Sequence, residues 1–98
     1  MKVKSEDLAA KIDVAPWDLL RAHLEHGAII TVDQSLDLSD TAALVANDDV
    51  EMISRLISSG LISRPTAAQV ATWDHDNSSR FLMLIVSPYI LVQQTHLA

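Results

Sequence analysis

The chain has 98 residues, of which 49% are hydrophobic and 20% are charged, and its net charge at pH 7 is −6. This length and composition are typical of one globular domain with its own core, and they exclude an intrinsically disordered chain. The absence of cysteine excludes disulfides and thiolate metal sites, and we expect a single domain over residues 1–98 in the reducing cytoplasm.

The acidic charge is concentrated in the first half of the chain. Residues 1–52 contain 11 acidic and 4 basic side chains, whereas residues 53–98 contain 2 acidic and 3 basic ones. Neither half provides a basic patch that could neutralise phosphates, so we expect no binding to nucleic acid or to an anionic membrane surface. Lys2 and Lys4 are followed by acids instead of an apolar segment, which is unlike a secretory signal.

Short amphipathic helices are predicted for most of the first three quarters of the chain. Gly27 and Gly60 are natural ends for the second and fourth helices, because glycine readily adopts the left-handed conformation that follows a helix. Thr66 and Gln69 have the spacing of a capping box, as do Asp48 and Glu51. The predicted first residues or caps of the five helices are, in order, Ser5, Pro16, Asp37, Asp48 and Thr66.

An apolar run near the C-terminus is the predicted centre of the fold. Residues 81–86 are all apolar, a pattern typical of a strand buried on both faces. The run continues after Pro88 to residue 93. Pro88 has no backbone N–H to donate to a neighbouring strand, so it predicts a bulge, a kink or a strand end. Residues 28–33 are rich in β-branched side chains and predict a partner strand for residues 81–86, while residues 61–64 are a candidate third strand.

These elements predict an α+β domain in which about five short helices cover a small mixed or antiparallel sheet of two to three strands. So few strands would leave sheet edges exposed, and a homodimer is one way to protect them. The apolar run of residues 81–92 is too short for a helix that crosses a bilayer, which needs roughly 20 residues. We therefore expect it to lie in the core of a soluble protein.

Four segments resemble, in this order, the landmarks of a small bacterial family of unknown function, DUF2288. They are residues 15–20, 27–38, 47–49 and 85–93, and they include Pro-Trp, Val-Asp-x-x-Leu-Asp-Leu, Asp-Asp and Pro-x-Ile-Leu-Val-Gln. The chain departs from the family pattern at Leu19, where the family has an acid, at Gln34, where it has proline, and at Tyr89, where it has tryptophan. The resemblance implies no activity, so no functional residue is transferred.

Large aromatic residues beside turns are candidate ligand-binding residues. Trp17, Trp73 and Tyr89 are of this kind, and Pro88 and Gln93 are further candidates in the same C-terminal segment as Tyr89. A pocket between the helix of Trp17 and the kink at Pro88 would bring these side chains together. The alternative is that the aromatic side chains pack in the core or in a dimer interface, since both tryptophans lie on apolar helical faces.

Asp33, Asp37, Asp48 and Asp49 are candidate ligands of a divalent metal ion, because carboxylate oxygens bind calcium and magnesium. The segment around Asp33 lacks the alternating ligands and central glycine of an EF-hand loop. The alternative is helix capping, which also places acids at helix starts. His23 and His26 lie three residues apart on one predicted helix, but a metal site would need further ligands from elsewhere.

No motif in the sequence indicates catalysis. The chain has no nucleophile elbow, and its two glycines cannot form a phosphate-binding loop. We therefore expect a non-enzymatic, cytoplasmic protein–protein interaction domain without a cofactor, whose partner is a second copy of itself or another protein. The alternative is a module that binds a small molecule or a divalent ion near Trp17 and Pro88.

Overall fold

The computed structural model describes residues 2–76 and 80–95, and its central feature is a five-stranded mixed sheet in the order β1-β4-β5-β2-β3. β5 and β2 are parallel, and the other neighbouring strands are antiparallel. The α+β class is confirmed, whereas the predicted two to three strands are too few. The strands are β1 (Asp13–Pro16), β2 (Ile29–Val32), β3 (Ile62–Ser63), β4 (Arg80–Val86) and β5 (Tyr89–Gln94).

Five α-helices and one short 3-10 helix lie in the described part of the chain, as the sequence predicts in number. They are α1 (Ser5–Ala9), α2 (Trp17–Arg21), the 3-10 helix (Leu24–His26), α3 (Leu38–Ala46), α4 (Val50–Ser58) and α5 (Ala67–His75). The single second helix predicted from Pro16 to His26 is wrong, since the chain leaves the α-helix after Arg21 and makes a separate 3-10 turn.

The central strand of the sheet is β5, so the prediction that residues 81–86 occupy the centre is wrong. β2 pairs with β5 and not with β4, and the four inner residues of β5 are all buried. β1 pairs only with the first four residues of β4, which leaves the outer side of the second half of β4 without a neighbouring strand. Ile85 is accordingly 55% exposed.

β1 is a strand that the sequence analysis missed. The sequence predicts Pro16 as the start or cap of the second helix and predicts no strand before it. Pro16 is the N-cap of α2, as predicted, and it is also the last residue of β1. A four-residue strand with two exposed side chains has too little periodicity to be detected alone, and its formation depends on pairing with β4.

Two apolar clusters lie on opposite faces of the sheet. On one face, α2 and α5 cover a cluster that includes Trp17, Leu20 and Trp73, together with Phe81 and Val92 from the strands. On the other face, α1 and α3 pack on the sheet, and the cluster contains Leu8, Leu38, Ala42, Leu84 and Leu91. The layers are therefore helices, sheet and helices.

Local capping signals locate most helix starts correctly. The Asp37 carboxylate accepts a hydrogen bond from the backbone N–H of Asp40, and Thr66 and Gln69 form the predicted capping box. The cap of α4 is Asp49 and not Asp48, so the predicted start was one residue early. Gly27 and Gly60 have the positive φ angles expected after a helix, 64° and 77°. Within the described residues, no helix is long and apolar enough to span a membrane.

Candidate functional site

An aromatic cluster forms the centre of the α2–α5 face of the sheet. The ring centroids of Trp17 and Trp73 are 4.9 Å apart, and the ring of Phe81 lies 5.8 Å from Trp17 and 5.0 Å from Trp73. All three side chains are at most 4% exposed. Trp17 and Trp73, two predicted ligand-binding residues, are thus brought together, and their contact packs α2 against α5.

Asp74 links α2 to α5 at the edge of this cluster. Its Oδ1 accepts hydrogen bonds from Trp17 Nε1 and from Arg21 Nε, each at 2.7 Å, and Arg21 also donates to Oδ2 at 3.3 Å. The hydrogen bond from Arg21, followed by that from Trp17, holds the pKa of the Asp74 carboxyl below its usual value. The carboxylate therefore stays ionised and anchors both donors.

Pro88 and Tyr89 lie at the opposite end of β4 from Trp17, so the structure does not bring these predicted ligand-binding residues together. Phe81, which contacts Trp17, is five residues before Val86, and a strand of that length extends about 17 Å. Ser87 and Pro88 form the turn between β4 and β5, with a cis peptide bond between them. Of the three outcomes predicted for Pro88, the strand end is confirmed.

Gln93 is buried, with 9% of its surface exposed, and it stabilises the connection between β2 and α3. Its Nε2 donates to the backbone carbonyls of Asp33 at 2.9 Å and Leu36 at 2.7 Å. A buried carbonyl without a hydrogen bond is costly. The position of the Gln93 amide is thus accounted for by contacts within the chain.

The four predicted metal ligands lie in turns and helix caps. The carboxylate of Asp33 accepts hydrogen bonds from Ser35, that of Asp37 from Ser39 and Asp40, and that of Asp49 from the backbone of Met52. The hydrogen bonds from Ser35 and Ser39 lower the pKa of Asp33 and Asp37, respectively.

Asp48 lies in the turn before α4, with φ of 55°. Across residues 2–76 and 80–95, no three histidine or acidic side chains are grouped so that they could hold a metal ion. His23 and His26 are exposed.

An open groove, which we call the α4 groove, lies between α4 and the sheet. It has a volume of about 570 Å³. Tyr89, one of the predicted ligand-binding residues, is at its rim and is 40% exposed. The remaining lining residues are mainly aliphatic, namely Ile30, Val45, Val50, Ile53, Ile57, Ile62 and Leu91, with Asp48, Ser54, Ser63 and Arg64.

A smaller depression, which we call the Trp73 pocket, opens on the other face of the sheet. Its volume is about 200 Å³. Three buried residues of the aromatic face, Trp73, Phe81 and Val92, contribute to its lining. The others are Thr31, Val32, Asp33, Gln34, Gly60, Leu61, Ser63, Gln69 and Gln94.

Most residues that line the two depressions are not among the predicted site residues. The sequence predicts a fourth helix between Asp48 and Gly60, but it predicts no exposed apolar face on that helix. α4 has no buried residue, and Val50 and Ile57 are 63% and 58% exposed. The available signal was the width of the stripe, because Val50, Met52, Ile53, Leu56 and Ile57 extend over more of the helix surface than one sheet can cover.

The fold and these features define a small α+β domain with helices on both faces of a mixed sheet and two surface depressions. The chain belongs to a family described as proteins of unknown function (DUF2288), whose model matches residues 3–94. It is similar to the solution NMR structure of PA1075 from Pseudomonas aeruginosa, with a TM-score of 0.80 and 24% identity over 92% of this chain and 82% of that one. That likeness shows the fold alone. No curated protein matches the chain significantly.

Proposed function

We propose that this chain is a cytoplasmic, non-enzymatic interaction domain that pairs with a second copy of itself through the α4 groove. The observation that carries the proposal is an amphipathic helix on the surface with no buried residue. The cytoplasmic location is supported by the lack of cysteine, which suits a reducing compartment.

The exposed apolar surface of α4 is arranged for contact with another helix. Val50 and Ile57 lie seven residues apart on one face of the helix, beside Ile53, which is half-buried against the core. Val50 and Ile57 are each more than half exposed, whereas Met52, which is 39% exposed, lies on the other flank of the helix. Burying such area contributes about 25 cal/mol per Å², so covering this face favours association.

A second copy fits this face because the patch is self-complementary. In a two-fold arrangement with antiparallel α4 helices, Val50 of one copy meets Ile57 of the other, and the small side chain of Ser54 lies between them. The rim carries an acid, Asp48, and a base, Arg64, which such symmetry can place opposite each other. A standard interface needs about 800 Å² per partner, or about an eighth of the 6319 Å² surface of one chain.

The outer edge of β1 offers no free backbone donor, which disfavours strand addition at that edge of the sheet. The backbone N–H of Thr95, just after β5, donates to the Arg80 carbonyl. Because hydrogen-bonding directions alternate along an antiparallel strand, the backbone groups of Arg80 and Leu82 point to β5. Their partners in β1, Pro16 and Val14, therefore point their own backbone groups outward. The N–H of Val14 donates to its neighbour Asp13 at 2.9 Å, and Pro16 has no N–H. A new strand would therefore find no free donor along this edge.

The test is the molar mass in solution, measured by size-exclusion chromatography with light scattering over micromolar concentrations. We expect the wild type to approach twice the 10.7 kDa of one chain, and Ile57→Glu to remain monomeric. Leu19→Glu is the matched control, because Leu19 is an exposed apolar residue (66%) on a helix of the other face. It should leave the dimer intact.

Salt provides a second measurement on the same dimer. Each copy carries a net charge of −6, and screening weakens the repulsion between copies. Dimerisation should therefore strengthen as sodium chloride increases. A wild type that is monomeric throughout, or equal loss of the dimer in the Ile57 and Leu19 variants, would show that α4 is not the interface.

A further inference from the structure

We infer that the α4 groove also binds an aliphatic carboxylate, and that this ligand and a second copy of the chain exclude one another. The exclusion rests on the proposed function, because a ligand in the groove would cover Val50 and Ile57, the side chains that pair in the dimer. Binding of the ligand itself does not need the dimer. The two proposals can therefore be tested separately.

The groove offers apolar side chains that a ligand can reach. Ile30, Val45 and Ile53 are half-buried, and Val50 and Ile57 are exposed. These five side chains leave apolar surface around a space of about 570 Å³, which lies within the range of about 300–1,000 Å³ typical of small-molecule sites. All five are aliphatic, so they offer dispersion contacts to an alkyl chain and no aromatic face on which a flat ring could stack.

Two hydrogen-bond donors lie at one end of the groove. The Arg64 guanidinium lies against Gly27, and its Nη1 is 3.5 Å from the position that a Cβ atom of that glycine would take. Tyr89 lies beside the next residue, Ala28, since the backbone N–H of Ile90 donates to the Ala28 carbonyl at 2.8 Å. The guanidinium and the phenol therefore belong to neighbouring parts of the groove wall.

These donors are not used within the described part of the chain. Arg64 forms no ion pair with any residue in 2–76 and 80–95, and neither it nor the Tyr89 hydroxyl donates a hydrogen bond to those residues. Asp48, the acid among the described lining residues, therefore does not neutralise the guanidinium. A carboxylate can accept from both donors.

The apolar surface supplies most of the binding, and the donors orient the ligand. An exposed ion pair contributes little by itself, whereas each methylene buried in the groove raises the affinity about fourfold. With its head group at Arg64 and Tyr89, the ligand would lay its alkyl chain over Ile30 and Ile53. The expected ligand is thus a carboxylate with a chain of several methylenes.

The test is an NMR titration of the ¹⁵N-labelled full chain with octanoate, butyrate and octan-1-ol. The solution contains about 0.15 M sodium chloride, because the net charge of −6 is then screened beyond about 8 Å. We expect octanoate to shift the backbone amide signals of Val50, Ile53 and Ile57. Butyrate has four methylenes fewer and should bind at least about tenfold more weakly.

Arginine variants separate the head group from the chain. Arg64→Gln should lower the affinity for octanoate about threefold, the effect of losing an exposed ion pair, and should leave the affinity for octan-1-ol unchanged. Arg55→Gln is the matched control, because it removes the same charge from α4 at a side chain that does not line the groove. Equal affinities for octanoate and butyrate, or equal effects of the two arginine variants, would overturn the carboxylate site.

The effect on assembly is measured by light scattering at a chain concentration near the dimer dissociation constant. At about ten times the dissociation constant of octanoate, both copies must lose the ligand before they pair, so the dimer dissociation constant should rise about hundredfold. An unchanged molar mass, with the shifts of Val50 and Ile57 present, would overturn the exclusion. A wild type that is monomeric without octanoate would contradict the proposed dimer and the exclusion with it, while the titration still decides whether the ligand binds.

Discussion

Replacing Phe81 with alanine removes the side chain that joins the sheet to both tryptophans. Phe81 is 1% exposed, and its ring contacts Trp73 nearly edge-on, at an interplanar angle of 84°. An aromatic side chain buries about 200 Å², which at about 25 cal/mol per Å² corresponds to about 5 kcal/mol. Alanine retains part of that burial, but the cavity and the lost aromatic contacts add to the cost. We expect a loss of about 4 kcal/mol.

The free energy of unfolding can be measured by urea denaturation with tryptophan fluorescence, since both tryptophans of the chain lie in this cluster. For a domain of this size, a loss of about 4 kcal/mol should lower Tm by about 15 to 30 °C. Such a loss is a large fraction of the stability of a typical domain, about 5–15 kcal/mol.

The matched control is Ile85→Ala, in the same strand and on the same face. Ile85 is 55% exposed, so its truncation should cost less than about 1 kcal/mol. Similar losses for Phe81→Ala and Ile85→Ala would refute the assignment of the core to the Trp17–Trp73–Phe81 cluster.

Three further predictions concern polar contacts. Gln93→Leu should lower the free energy of unfolding by about 1–3 kcal/mol in urea denaturation, because it removes the side-chain donor to the Leu36 carbonyl and one of the two donors to the Asp33 carbonyl, which keeps the Leu36 N–H. Replacing Asp13 with alanine and Pro16 with valine together should open the edge of β1 and produce concentration-dependent oligomers in light scattering. The folded-state pKa of Asp74 lies below its ordinary value of 3.8, so the unfolded chain binds a proton first and stability falls as the pH drops below that value. Asp74→Asn should make this loss shallower in acid denaturation followed by circular dichroism.

Controls for these predictions lie close to the altered residues. Gln94→Leu changes an exposed neighbour and should have little effect on stability, so an equal loss would contradict the role of Gln93. The single change Val14→Thr leaves the Asp13 and Pro16 backbone arrangement intact and should not cause oligomers. Asp7→Asn should leave the acid transition unchanged, and a slope like that of Asp74→Asn would contradict the link to Arg21.

The helix starts and the fold class follow from local sequence signals. A cap such as Asp37 or Thr66 accepts a hydrogen bond from a backbone N–H only three residues away. A glycine ends a helix through its own backbone conformation, because it readily adopts a positive φ angle. These interactions need no distant partner. The sequence by itself therefore determined where most helices begin and end, and which long apolar segments enter the core.

Strand order, the β1 strand and the site geometry were decided by the tertiary structure. β4 and β5 are both apolar, and only the parallel pairing of β2 with β5 makes β5 the central strand. Whether Trp17 meets Trp73, and whether Tyr89 lies far from both, depends on the register of the sheet. The exposure of α4 likewise depends on how much of its apolar surface the sheet can cover, because burial is a property of the packed layers and not of a residue's neighbours in sequence.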